Sequence, residues 1–350
     1  MKKLLYFIIS MPLLWLTACN VHEWPDTPEY VKFHLRLNYE TDMTVWNQLY
    51  DGENTIDQGY GVTYDNLMER GTIRYIVRAY PIHKEMTSTE YAKEFVFTQN
   101  VADGYDFETA LELAPGDYRI MVWSDLSESR YFSSFYEPAN FAKIVLQGEH
   151  PANTDYRDAF SGKQQISLTS DFMERKPDTL DIAMHRPLGK FEFITTDVVE
   201  FIRKEVLRLA SRGDLVYDAD DDLSRLINIK DYSIMFHYVG FMPCAYSVLT
   251  DMAVDSATGV SFSSDLSRLN DKEASIGFDY VFLNNTETAV TIKIGVLDKE
   301  GTLLTLSDPI VVPMKRDHNT ILRGTFITTQ ASGGISINPE FDGDFNLIIP

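Results

Sequence analysis

Cysteine is almost absent, with Cys19 and Cys244 the only two in 350 residues. Cys19 sits against the N-terminal apolar run, so no disulfide framework staples the fold and apolar burial must hold it together. Histidine is sparse and scattered. The seven, at positions 22, 34, 83, 150, 185, 237 and 318, include no two within two to five residues of each other, which excludes a local histidine metal motif. Nucleophile elbow, metalloprotease helix, phosphate-binding loop and Cys/His zinc cluster are all missing, so the expectation is a non-enzyme with no cofactor and no metal. A hydrolase built from two carboxylates on distant loops escapes such a search and ranks third among the readings. Positive charge is also short: 31 Lys and Arg stand against 52 Asp and Glu, a net −21. Such a surface repels phosphate backbones, so nucleic acid is excluded as a partner. Downstream of Cys19 no apolar run approaches the roughly 20 residues that cross a bilayer.

What is present begins at the N-terminus. Lys2 and Lys3 precede an apolar run that starts at Leu4 and stops at Leu16-Thr17-Ala18-Cys19, the basic head, short apolar segment and small residues of a cleaved secretory signal. The cleavage point is a cysteine, which makes this a lipoprotein pattern. Residues 1–18 are the expected signal peptide, and Cys19 is the expected lipidation site, diacylated on sulfur and left as the mature N-terminus. Several acyl chains hold a membrane far better than one. Residues 19–29, with Pro25 and Pro28 and little apolar content, read as a lipid-attached tether.

From residue 31 the sequence alternates strictly. Val31, Phe33, Leu35, Leu37 and Tyr39 share one face and Lys32, His34, Arg36 and Asn38 the other, the period of a half-buried strand. Further strands are expected at 72–80, 94–98, 107–113 and 118–123, with Ala114-Pro115-Gly116-Asp117 turning between the last two. The polar stretches 51–61 and 124–140 read as surface loops. Near His185-Arg186-Pro187 the pattern restarts with a strand over 189–195. Val198, Phe201, Ile202, Val206 and Leu209 then recur at helical spacing behind Asp197 as N-cap, giving a helix to about residue 210. Strands follow at 232–241, 274–283, 289–297, 303–312 and 319–328, with a hairpin turn at Asp298-Lys299-Glu300-Gly301. The expected fold class is mostly β: two tandem β-sandwiches, an N-terminal one over 30–184 and a C-terminal one over 185–350 carrying one or more short helices. Aromatics at 13% supply enough large apolar surface for two such cores.

Weaker motifs weigh less. Asp218-Ala219-Asp220-Asp221-Asp222 opens like a calcium loop, but Leu223 and Ile229 stand where an EF-hand needs Gly and Glu, so it reads as a solvated acidic loop. Arg212-Gly213-Asp214 spells an adhesion tripeptide, yet its glycine is accounted for as a helix C-cap. Asp178-Thr179-Leu180 and Asp255-Ser256-Ala257 resemble the O-glycosylation acceptors of Bacteroidetes, with Thr179 and Ser256 as the acceptors. The same triplets are common turn starts. Trp46, Tyr50, Tyr60 and Tyr64, read as exposed in the loop after the first strand, would suit sugar stacking or the capping of a sandwich edge. Cys244, in an apolar strand-rich stretch, reads as an inert core thiol.

Several stretches in combination resemble the fimbrillin and Mfa-like lipoprotein family of Bacteroidales, of the minor fimbrium anchor or accessory type (DUF6562-like). Leu111 to Asp125 is similar to the strand, Pro-Gly-Asp-Tyr turn and strand of that family's first transthyretin-like domain. His185-Arg186-Pro187-Leu188-Gly189-Lys190-Phe191 is similar to its domain junction, Gly240-Phe241-Met242-Pro243 and Gly277-Phe278-Asp279-Tyr280-Val281-Phe282 to strands of its second domain, and 311–320 with Gly324 and Thr328 to its penultimate strand pair. The resemblance covers essentially the whole mature chain. It implies transthyretin-like sandwiches and a cell-surface outer-membrane lipoprotein, with cell adhesion or fimbrial anchoring as its role. Its partners would be the outer membrane, through the lipid, and other fimbrial or surface subunits, through strand addition. Stalk subunits of this kind have an arginine processing site that frees their first strand. Here the only early arginine is Arg36, inside that strand, which favours an anchor, accessory or stand-alone member. The C-terminal stretch 341–350 either completes its own sheet, the preferred reading, or donates to a neighbour. The alternative function is a glycan-binding lipoprotein of a polysaccharide-uptake system, with Trp46, Tyr60, Trp123 or Tyr131 as the platform.

Overall fold

A computed structural model describes residues 30–52, 54–65, 71–82, 90–127, 134–168, 179–284 and 287–329. The signal peptide, Cys19, the tether, Tyr131 and the stretch 330–350 lie outside the described residues. The strands before the helical segment are β1 (Val31–Tyr39), β2 (Asp42–Tyr50), β3 (Thr55–Asp65), β4 (Thr72–Pro81), β5 (Lys93–Asn100) and β6 (Phe107–Leu113), then β7 (Gly116–Ser127), β8 (Tyr136–Glu137), β9 (Ile144–Leu146), β10 (Ala159–Leu168), β11 (Thr179–Met184) and β12 (Leu188–Thr195). Helix α1 (Val198–Arg212) and the single turn α2 (Leu223–Leu226) follow. The later strands are β13 (Ser233–Tyr238), β14 (Met242–Ser247), β15 (Met252–Ala257), β16 (Ser261–Asp265), β17 (Ser267–Arg268) and β18 (Ala274–Phe282), then β19 (Thr288–Leu297), β20 (Leu303–Leu306), β21 (Ile310–Met314) and β22 (His318–Gly324). The protein is mostly β.

Two sheets make the first sandwich, ordered β11-β1-β6 and β10-β7-β4-β5. The alternation of β1 buries Val31, Phe33, Leu35 and Leu37 completely against Ile73, Tyr75 and Val77 of β4 and Ile120 and Val122 of β7. The corner between β10 and β11 is tight. A Cβ on Gly162 would fall 2.6 Å from the Met184 sulfur and 2.9 Å from the Ala183 carbonyl oxygen, so only glycine lets these strands approach.

The second sandwich stacks the six-stranded sheet β17-β18-β12-β22-β2-β3 on a sheet ordered β16-β13-β19-β20, with β21 also paired to β19. Helix α1 packs on this core through Val198, Phe201, Ile202 and Val206. Gly213 ends it at φ +80°, the left-handed cap that glycine adopts without steric cost. Asp197 stands at the expected N-cap but makes no side-chain cap bond. Its carboxylate instead accepts from the Thr328 amide at 2.8 Å and hydroxyl at 2.6 Å. Among the described residues no helix is long and apolar enough to cross a membrane.

Three expectations are corrected. Within 51–61, residues 55–61 are strand and not loop: they open β3, whose Ile56, Tyr60 and Val62 stand exposed at 43%, 53% and 81%. Ile56, Tyr60, Val62 and Tyr64 do fall at alternate positions, but Gly59 and Gly61 between them read as turn residues. In 124–140, β7 continues to Ser127 and Tyr136 is fully buried at the start of β8. The single strand expected over 303–312 is two, β20 and β21, whose registers on β19 differ by one residue (Gly295 opposite Leu306, Ile292 opposite Ile310), with Pro309, which has no amide to donate to the ladder, between them.

The hairpin β2–β3 lies before residue 184 in sequence, yet β2 runs parallel to β22, from Thr44 opposite His318 to Leu49 opposite Arg323. A fifth sheet, β15-β14-β9-β8, also mixes strands from both sides of that point. Between the sandwiches lies a third apolar cluster. Ile76, Tyr80, Met121 and Trp123 come from the first, Met43, Leu188, Tyr280 and Phe282 from the six-stranded sheet, and Tyr136, Phe141, Ile144 and Tyr246 from the mixed sheet and its loops. This second apolar contact explains why β4 and β7 are buried on both faces.

Candidate functional site

Strand β1 occupies the middle of its sheet. It pairs parallel with β11, from His34 opposite Thr179 to Tyr39 opposite Met184, and antiparallel with β6, from Val31 opposite Leu113 to Leu37 opposite Phe107. Burying four such side chains is worth roughly 6–12 kcal/mol at about 1.5–3 each. Without β1 the sandwich would hold an open slot lined by Leu111, Leu113, Leu180, Ile182 and Met184, the geometry that accepts a foreign strand. The outer face of β1 is basic and its flanks are acidic. Lys32 pairs with Glu112 at 2.9 Å, and Arg36 with Glu108 at 3.0 Å and Asp181 at 3.3 Å. Exposed pairs add little stability but penalise a strand of the wrong charge.

The resemblance motif at 185–191 forms a buried ionic junction. Arg186 holds Asp158 with two bonds, 2.7 and 2.9 Å, reaches the Thr41 carbonyl at 2.8 Å and pairs with Asp317. Lys190 lies 2.8 Å from Asp155, which also accepts from the Tyr280 hydroxyl at 2.7 Å. One layer away, Asp279 pairs with Arg157, with His150 at 2.5 Å and with the Tyr238 hydroxyl at 2.6 Å. Burial pushes the Asp158 carboxyl up even though Arg186 opposes it. At Asp279 burial pushes the same way, but Arg157 and His150 outweigh it and hold the carboxyl below its usual range. The desolvation cost of such buried pairs offsets much of their attraction, while removing one partner leaves an uncompensated charge. No local signal in the sequence marks the second set, since Arg157 and Asp279 are 122 residues apart.

Among the described residues the aromatic platform does not assemble. Trp123 is fully buried, edge-on to Tyr136 at 5.3 Å. Trp46 and Tyr50 are also buried, so the exposure expected of them is corrected: Tyr50 packs in the second sandwich's core, and Trp46 is covered by β3, its indole N–H donating to Asp57 at 3.0 Å. Trp46 stacks on Tyr60 at 5.8 Å, which leaves Tyr60 exposed. Ser256 is exposed on β15 and Thr179 half-buried at the start of β11. Cys244 is half-buried, and burial pushes its thiol up. In the acidic loop Asp221 accepts the Asp218 amide at 2.7 Å and Asp222 caps α2.

The family model for DUF6562, a family of unknown function, matches residues 27–350. The chain belongs to the DUF6562 family. A comparison of this DUF6562 member with curated proteins finds no match. Solved structures similar to it include a candidate adhesin from Bacteroides ovatus, at 10% identity and TM-score 0.39, covering 85% of this chain and 94% of that one. The fimbrial anchor protein Mfa2 from Porphyromonas gingivalis is similar at 11% identity and TM-score 0.36, with 79% and 82% covered. The tip fimbrial protein Mfa3 from the same organism, with a C-terminal truncation, is similar at 10% identity and TM-score 0.30, with 81% of each chain covered.

Proposed function

We propose that this DUF6562 member is a non-catalytic, lipid-anchored cell-surface protein, an anchor or accessory subunit of a fimbria or related adhesive assembly that joins neighbours by β-strand pairing. The resemblance in the sequence motivates the reading, and the observation that carries it is the seating of β1. Its four apolar side chains are fully buried and its outer face is matched to acidic flanks, so this chain keeps its own first strand. Arg36 lies mid-strand in two ion pairs, a poor site for a processing protease. A subunit that holds its own strand fits the end of a fibre rather than its stalk. Contact with neighbours then falls to sheet edges; among the described residues β3 is the longest of these at 11 residues, ends its sheet and carries no Lys or Arg to discourage pairing.

The proposed anchor is Cys19, with the outer membrane as its surface. An immunoblot of detergent-extracted outer membranes, run unboiled and boiled, tests the assembly. High-mass species that collapse to monomer on boiling are expected. Monomer in both lanes would sink strand-paired assembly.

A further inference from the structure

Asn319 lies on β22 with no solvent exposure, and among the described residues neither its amide nitrogen nor its amide oxygen has a hydrogen-bond partner. Burying a primary amide without a partner is costly, so native cores leave few such groups. In register with it on β12 is Lys190. Adjacent strands run about 4.8 Å apart, and register partners leave the same face of a sheet, so the amide is within reach of the lysine's four-carbon stem. Lys190 is buried as well. Its Nζ lies 4.1 Å from the centre of the Phe278 ring, 5.5 Å from that of Tyr280 and 2.8 Å from Asp155 Oδ1. The same oxygen accepts from the Tyr280 hydroxyl at 2.7 Å. On the far side of Asn319 its register partner is Val45 of β2, also buried. An amine, a primary amide and a carboxylate are thus brought together among apolar side chains, with only the carboxylate of Asp155 partly exposed, at 25%.

We propose that Lys190 and Asn319 become joined by an intramolecular isopeptide bond once the sheet has folded. Lys190 Nζ attacks the side-chain carbonyl carbon of Asn319, a C–N bond forms there, and the bond from that carbon to Nδ2 breaks. A lysine amine is a competent nucleophile once it has given up a proton. Of the three protons on the lysine ammonium, one stays on the new amide. The other two pass through the Asp155 carboxylate to the departing nitrogen, which leaves as ammonium, so nothing is oxidised or reduced and no co-reactant is needed. Asp155 already holds the hydrogen-bond contact with Nζ that a general base requires. Strand register supplies the proximity that makes amide exchange slow between free molecules, and the packed rings keep water from competing for the carbonyl. The bond would lock β12 to β22, the two central strands of the six-stranded sheet. The inference does not rest on the proposed assembly.

Peptide mapping by mass spectrometry, on protein purified from membranes and then denatured and digested, tests it. The peptide holding Lys190 and the peptide holding Asn319 should appear joined, at the sum of their masses less about 17 Da, the mass of the ammonia lost. Fragment ions should place the link between these two side chains. Separate, unmodified peptides overturn the inference and leave Lys190 with its Asp155 ion pair alone. The Asp155→Asn variant removes the proton relay, and among chains with the parent's circular dichroism the joined fraction should fall by roughly tenfold or more. An unchanged joined fraction overturns the assignment of Asp155 as the base. The parent's own map decides the bond whether or not the variant folds.

Discussion

Trp123 has no solvent exposure, and its indole Nε1 donates to Asp125 at 2.9 Å. Trp123→Ala should therefore cost about 3–5 kcal/mol in urea unfolding, an effect on stability rather than on any sugar contact. Asp279 carries the charge balance of its layer. Asp279→Asn leaves Arg157 and His150 facing a neutral partner and should cost about 3–5 kcal/mol at pH 7. Since the folded-state pKa of Asp279 lies below its ordinary value, its contribution is present above the unfolded value of about 3.9 and fades as pH falls through the folded one. Urea midpoints of parent and variant should thus converge as pH falls below the unfolded value of about 3.9; a constant gap would mean that shape, not charge, is at stake. Exposure also separates the two candidate acceptors. Intact-mass and peptide analysis of protein from native membranes should find glycan on the exposed Ser256 in preference to the half-buried Thr179.

At the scale of elements, β3 is the test of strand pairing. Val62 is 81% exposed near its centre, so a lysine there adds an edge charge without disturbing a packed face. Val62→Lys is expected to abolish heat-sensitive high-mass species while leaving the melting temperature within about 2 °C. Persistence of those species would move assembly to another edge. The element also illustrates what patterning conveys. Strand β1 was legible because one face is dry and the other wet, whereas in β3 Ile56, Tyr60, Val62 and Tyr64 are spread among polar residues and two glycines, Gly59 and Gly61, the composition of a turn. Helix α1 was legible from Val198, Phe201, Ile202 and Val206 and from the glycine that stops it, because those signals lie within a few residues of one another.

Across the whole molecule, the six-stranded sheet draws β2 and β3 from before residue 184 and β12, β18 and β22 from after it, and the third apolar cluster binds the two sandwiches. Such coupling favours joint unfolding. Calorimetry of the mature chain should show one transition, and a fragment starting at residue 185 should fail to fold because it lacks β2 and β3. Two resolved transitions, or a folded fragment, would show that the sandwiches stand alone.

Alternation, helical spacing and turn residues by themselves determined that this chain is mostly β, where most strands fall and which face of each is dry, because these depend on neighbours a few residues away and on water. Partners distant in sequence were decided only by the tertiary structure. The apolar run Ile120 to Trp123 fits a strand dry on both faces but does not say what covers the second, nothing near Thr44 names His318 as its neighbour, and Arg157 meets Asp279 only once the two sandwiches have packed. Long-range pairing is selected by the burial and charge balance of the assembled whole, and no local window of sequence carries that sum.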